Sequence, residues 1–267
     1  MIKVTEKVPI YVIGYPKSGN TWVARLLSDL LDSPIEAGDD AVNQADNDKE
    51  FRGDYSIVKG HYSRSSRPEY ISNNSKIIYV VRDFRDVLIS GFFFCHNNFP
   101  EKKILIKSNE FFSSFYKIYF YHQLRRMTKK WVSHELTVIR NYIYRSPKNT
   151  VGSWSDHVKY WTAQPNISVV RYEDLLHNPI ESIDGILSGI DVTHHHASIG
   201  ETIERQSFSN RKDNFLRSDD EVNHKFLRKG GSGDWKRFLN SQAIKRIEDT
   251  HGRVMRGLGY TKSDPIK

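Results

Sequence analysis

The chain has 267 residues, of which 12% are aromatic and 38% hydrophobic, enough for a substantial core and too apolar for a disordered protein. A formal net charge of +8 favours anionic partners such as a nucleotide or an acidic substrate, although 27% charged residues is an ordinary level. The single cysteine, Cys95, excludes an intramolecular disulfide framework and fits a reducing compartment.

The opening residues, MIKVTEKVPIYVIG, lack a long apolar core and a small-residue cleavage site, so no signal peptide is expected. Short runs rich in Val and Ile predict strands at Pro9–Ile13, Ser56–Val58, Lys76–Val81 and Ile167–Arg171. After the first strand, Trp22, Val23, Leu26, Leu27, Leu30 and Leu31 recur at helical spacing and predict a helix packed on a sheet. Residues 36–51 read as an acidic surface connection, and the aromatic and basic section within 91–144 as mainly helical. Its most aromatic run, 111-FFSSFYKIYFYH-122, is too short and too polar to span a bilayer. Residues 210–233 lack periodicity and read as a long loop. Strands separated by helices imply an α/β fold: one domain over residues 1–267, with its core at about 8–260. The expected architecture is a P-loop-like three-layer sandwich, a mostly parallel central sheet flanked by helices. In such sheets ligands sit at the carboxyl ends of the strands.

The stretch 11-YVIGYPKSGNTWVARLL-27 carries the chemistry. Gly14-x4-Gly19-Asn20-Thr21 has the glycine frame of a phosphate-binding loop, G-x-x-x-x-G-K-[ST], with Asn20 in the lysine's place. Such glycines let successive N–H groups turn inward, and the next helix adds its positive end. A lysine is present three residues earlier, at Lys17. Phosphoryl transfer normally uses magnesium with a lysine at the loop's end, and this arrangement departs from that.

Pro16-Lys17-Ser18-Gly19-Asn20-Thr21-Trp22 closely resembles the phosphosulfate-binding loop of the cytosolic-type sulfotransferases, usually P-K-S-G-T-T-W. Those enzymes use 3′-phosphoadenosine 5′-phosphosulfate (PAPS) as donor and release 3′-phosphoadenosine 5′-phosphate (PAP). The stretch 77-IIYVVRDFRDVLIS-90 resembles the family's 3′-phosphate segment, and 228-RKGGSGDWKRF-238 resembles R-K-G-x-x-G-D-W-K-x-x-F. Between them, 152-GSWSDHVKYW-161 and 171-RYEDLLHNP-179 are similar to G-S-W-x-x-H-V and Y-E-D-x-x-x-x-P. The resemblances fall in the family's order along the chain.

The resemblance implies a site. Backbone amides from Ser18 to Thr21 suit the donor's 5′-phosphate, and Lys17 would stabilise charge on the oxygen that leaves. Arg82, Ser90, Arg228, Lys229 and Gly230 would hold the 3′-phosphate, the serine also restraining premature hydrolysis. Trp22 would stack on adenine, with Phe208 on the other face and Tyr172 at the base edge. The segment 206-QSFSNRKDN-214 is similar to T-S-F-x-x-M-K-x-N but departs at Gln206 and Arg211. An acceptor hydroxyl or amine must lose a proton, and a histidine suits that task. Composition does not choose among 11 histidines, but His61 in 57-IVKGHYS-63 fits the family's K-x-H motif. His61 would then be the general base and Lys59 a second cation beside the transferring group.

No metal is implied: a sulfuryl group carries less charge than a γ-phosphoryl group. The run His194, His195, His196 is not a metal site, since successive residues point apart. The expected partner is a small-molecule acceptor, with neither nucleic acid nor membrane, in the cytoplasm. The family's usual dimer motif, K-x-x-x-T-V-x-x-x-E, is not matched by 236-KRFLNSQAIK-245, which favours a monomer. The rival expectations are a P-loop kinase of a small metabolite and a non-catalytic protein that binds PAP or PAPS.

Overall fold

A computed structural model of the chain describes residues 7–36, 50–98, 152–192, 197–217, 230–239 and 241–260. The strands are β1 (Val8–Gly14), β2 (Ile35–Glu36), β3 (Tyr55–Gly60), β4 (Lys76–Val81) and β5 (Ile167–Arg171). They form one parallel sheet in the order β2-β3-β1-β4-β5. The helices, in chain order, are α1 (Asn20–Leu30), α2 (Phe84–Asn98), α3 (Trp154–Thr162), α4 (Tyr172–His177) and α5 (Pro179–Gly189). They continue with α6 (Ile199–Arg205), α7 (Phe208–Arg217), α8 (Trp235–Phe238) and α9 (Ser241–Gly257). This is an α/β fold with a parallel central sheet and flanking helices.

Each expected strand is present, β1 and β3 being longer than their apolar runs. The short edge strand β2 was not expected, because two residues at the start of an acidic stretch carry no pattern. Its register is set from outside, by Ile35 and Glu36 pairing with Ile57 and Val58. Residues 210–217, expected in a loop, belong to α7. The rest of the expected loop up to residue 229, residues 37–49 of the acidic connection, and 99–151 lie outside the described residues, as do His194, His195 and His196.

Contacts divide the described residues into two compact units. One comes from 1–82 and 157–214, the other from 83–156 and 215–267. The first contains the sheet. Its core joins Ile10, Val12, Ile57, Ile78 and Val80 of the strands to Leu26, Leu27 and Leu30 of α1 and to Ile183 and Leu187 of α5. Full burial of each such side chain contributes about 1.5–3 kcal/mol. Pro179 opens α5 at a position where no N–H is needed.

The second unit is built on α2, which packs against α8 and α9. Phe84 is fully buried between Trp154 (5.7 Å between rings) and His251 (4.3 Å). Ser155 Oγ lies 2.7 Å from His251 Nδ1. Arg85 is buried, paired with Asp83 at 2.6 Å and stacked over Trp235 at 3.9 Å. These contacts give a counter-charge and a stacking face to a guanidinium that would be costly to bury alone.

Candidate functional site

The ladder of the sheet brings the strand ends level. Ile13 pairs with Gly60, Gly14 with Val80, and Val81 with Arg171. The residues just past each strand therefore lie along one edge: the 15–19 turn after β1, His61 after β3, Arg82 after β4 and Tyr172 after β5. The strand order reverses at β1, the position where open parallel sheets bind ligands.

The turn after β1 is strained. Lys17 has φ 68° and Gly19 has φ 107°, both left-handed. For Lys17 this conformation costs about 1 kcal/mol or more. Gly19 caps α1, and a Cβ there would lie 2.5 Å from the Tyr172 ring. The N–H of Ser18 returns to Tyr15 O at 3.0 Å, and those of Trp22 and Val23 both reach Gly19 O. The N-terminal edge of α1 at Gly19, Asn20 and Thr21 is the candidate cradle for an anion, and the Ser18 amide is used in closing the turn. Ser18 Oγ is fully buried with no partner among the described residues.

Lys59 and His61 flank the turn from β3. Lys59 is 5% exposed, and its Nζ reaches Thr21 Oγ1 at 3.5 Å. His61 Nδ1 lies 2.6 Å from Gly14 O. Contact at that distance requires a proton on Nδ1, which leaves the ring's lone pair on Nε2. The backbone beyond His61 is held by α3, where Trp161 Nε1 donates to Tyr62 O at 2.6 Å.

On the other side of β1, Arg82 donates to Lys17 O at 3.1 Å and its guanidinium stacks over Tyr172 at 4.2 Å. Tyr172 meets the edge of Trp22 at 5.7 Å. Trp22 is half-buried, and its indole N–H donates to Gln206 O at 3.0 Å. Gln206 in turn donates from Nε2 to Asp29 of α1 at 2.9 Å, beside the two Arg205–Asp29 bonds of 3.1 Å. Phe208 opens α7 two residues later and is half-buried.

In the second unit, Ser90 lies in the second turn of α2 and is half-buried. Gly230 has φ 65°, which suits the glycine of that segment. Arg228 and Lys229 lie outside the described residues. The segment after Gly230 is anchored by Asp86, whose carboxylate accepts the N–H of Gly233 at 2.6 Å and of Trp235 at 3.1 Å. Asp86 was not singled out in the sequence. It lies in the first turn of α2, a helix that begins ahead of the section expected to be helical, and its partners are distant in sequence.

His157, the histidine of the 152–161 stretch, was given no role in the sequence reading. It is buried, lies 2.9 Å from the Tyr79 hydroxyl, and faces the backbone carbonyls of His61 and Tyr62. Burial, assisted by the nearby His61, lowers its pKa to about 3 against the opposing pull of those carbonyls. Burial likewise keeps the Tyr79 phenol protonated. Among the described residues, no group of three or more His, Cys, Asp or Glu side chains is placed to hold a metal. No described helix is long and apolar enough to cross a membrane.

The chain is similar to known proteins over most of its length. The 3-alpha-hydroxysteroid sulfotransferase of Cavia porcellus is 25% identical over 268 residues, covering 92% of this chain and 83% of that protein. Sulfotransferase 2A1 of Homo sapiens is 27% identical over 271 residues, covering 90% and 80%. The crystal structure of mouse sulfotransferase SULT7A1 complexed with PAP has a TM-score of 0.64 at 20% identity, covering 94% of this chain and 84% of that one. Retinol dehydratase in complex with androsterone and inactive cofactor PAP has a TM-score of 0.55 at 19% identity, covering 91% and 80%. These two likenesses establish the fold. The family described as the sulfotransferase domain matches residues 7–259, and the chain belongs to that family.

Proposed function

We infer that this chain transfers a sulfuryl group from PAPS to a hydroxyl or amine of a small-molecule acceptor, with PAP as the second product. The observation that carries this reading is the pairing at one strand edge of an anion cradle with His61, whose Nδ1 is committed to Gly14 O. A cradle alone would serve binding; a histidine with its lone pair on Nε2 serves proton transfer. The solved structures complexed with PAP support the choice of nucleotide.

The residues fit that donor. The left-handed turn at Lys17 and Gly19, the start of α1 and the buried Ser18 hydroxyl suit a 5′-phosphate. By the family resemblance, Arg82, Ser90, Arg228, Lys229 and Gly230 would hold the 3′-phosphate. Trp22, Tyr172 and Phe208 suit the adenine. When bound, PAPS supplies the sulfuryl group to be transferred. His61 Nε2 takes the proton of the acceptor hydroxyl or amine. Lys59 and Lys17 place positive charge where negative charge grows, and Ser90 restrains loss of the group to water. We assign the chain to the cytoplasm as a single-domain monomer.

The test is transfer of label from radioactive PAPS to phenols, aliphatic alcohols, amines and glycosides, with His61→Ala alongside. Loss of a general base costs about 10²–10⁴ in rate, with PAP binding retained. Undiminished transfer by His61→Ala would overturn the base. Failure of the native protein to bind PAP would overturn the donor.

A further inference from the structure

Asn20 stands where phosphate-binding loops carry lysine and where the resembled family usually has threonine. Its backbone N–H belongs to the cradle, but its side chain faces the opposite way, into the sheet. It is 2% exposed. Nδ2 lies 3.1 Å from Gly14 O, 3.1 Å from Gly60 O and 3.2 Å from His61 Nδ1. These are the last residues of β1 and β3, and the ring just past β3.

An amide nitrogen has two hydrogens and here three neighbours that could accept one. The 2.6 Å separation of His61 Nδ1 from Gly14 O decides among them. Two lone pairs cannot face each other at that distance, so Nδ1 is protonated and accepts nothing. Both amide hydrogens then go to the two carbonyls. A flipped amide would set Oδ1 against two carbonyl oxygens, which fixes the assignment. The fit is tight on the other side too: a Cβ at Gly14 would lie 2.4 Å from Asn20 Oδ1.

We propose that Asn20 is a positioning residue for the base. Its side chain ties the Gly14 and Gly60 carbonyls together where the β1–β3 ladder ends, and so holds His61 in the Nδ1–H tautomer with Nε2 basic. The Nδ2 amino nitrogen suits this because it donates only. Water in its place would donate or accept, and would support either tautomer of the ring. A threonine has one hydroxyl proton for two carbonyls and makes a weaker tie. This rests on the reading of His61 as the base, and it concerns the side chain alone, since substitution leaves the Asn20 amide of the cradle in place.

The experiment tracks the His61 tautomer by two-bond ¹H–¹⁵N correlation through the imidazole ring in ¹⁵N-labelled full-length protein. The signal is assigned by its absence in His61→Ala. The native protein is expected to show only the Nδ1–H form above neutral pH. In Asn20→Ala both tautomers are expected, with kcat lower by about tenfold or more, the effect of losing a buried hydrogen bond that aligns the base. PAP affinity and the KM for PAPS should stay within about twofold. A single Nδ1–H form with native kcat in Asn20→Ala overturns the proposal. So does a fall in PAP affinity that matches the fall in kcat, which would make the side chain part of the donor cradle only. If Asn20→Ala does not fold, Asn20→Thr carries the same readouts with smaller amplitude. If His61→Ala retains transfer, the base reading fails by itself, and the tautomer measurement still decides whether Asn20 sets the ring.

Discussion

Gly19 and His157 show how single residues are constrained by what packs on them. Gly19 combines a φ of 107° with the Tyr172 ring at 2.5 Å from where a Cβ would be. Gly19→Ala therefore costs about 1–2 kcal/mol for the left-handed backbone and must also displace Tyr172, which carries Arg82 on its face. We expect PAP affinity to fall at least about tenfold by calorimetry; unchanged affinity would remove the turn from the donor site. His157 bears on pH. Its folded pKa of about 3 lies below the ordinary 6.5 of a histidine, so between these values the unfolded chain binds a proton that the folded chain refuses. Its contribution to stability is complete above pH 6.5 and is lost as the pH falls towards 3. The slope from this one residue approaches 1.4 kcal/mol per pH unit, about the value of one whole proton. Urea unfolding at pH 7 and pH 5 should show a steeper loss in the native protein than in His157→Gln. Equal slopes would mean that His157 is protonated in the fold.

Asp86 shows the same logic for elements. From the first turn of α2 it receives the amides of Gly233 and Trp235, 147 and 149 residues away, and so fixes the segment between Gly230 and α8. Asp86→Ala removes two charge-assisted bonds, one to the buried Trp235 amide and one to the half-buried Gly233 amide, at a cost of about 2–4 kcal/mol by urea unfolding. Asp86→Asn keeps one acceptor oxygen and should recover part of that. A loss under about 0.5 kcal/mol in the alanine variant would mean that the segment holds itself. The elements themselves were largely legible. Apolar runs marked β1, β3, β4 and β5, and helical spacing marked α1, because those patterns are local and face a common core. The start of α7 was not legible: Asn210, Arg211, Lys212 and Asp213 offer no apolar stripe. Nor was the function of Gln206, a departure from the resembled motif whose partner Asp29 lies 177 residues away. The residues of the turn after β1 could be named because a glycine-framed turn is written in consecutive residues. The Asn20–Gly60 tie and the Asp86 anchor are made only when distant segments fold together.

For the molecule as a whole, the sheet order decides where chemistry can occur. With β1 central and the chain crossing to β3 on one side and β4 on the other, the turn after β1 opens between His61 and Arg82. Cations from both sides then converge on it: Lys59 from β3 and Arg82 after β4. The place where a phosphate-binding loop carries its lysine is instead taken by an amide bound to two carbonyls. That distinction makes ligand-linked stability a test of donor class. A ligand that binds only the folded chain stabilises it by about 2.7 kcal/mol at one hundred times its Kd. For a chain of this size that raises Tm by about 5 °C or more. PAP at saturating concentration should give a rise of this order, and ATP with magnesium a much smaller one. PAP presents phosphates at both ends of its ribose, matching Arg82 as well as the cradle, whereas the triphosphate tail of ATP meets no lysine at the loop's end. An ATP–magnesium shift equal to or above that of PAP would overturn the sulfuryl-donor reading and favour phosphoryl transfer at the same strand edge.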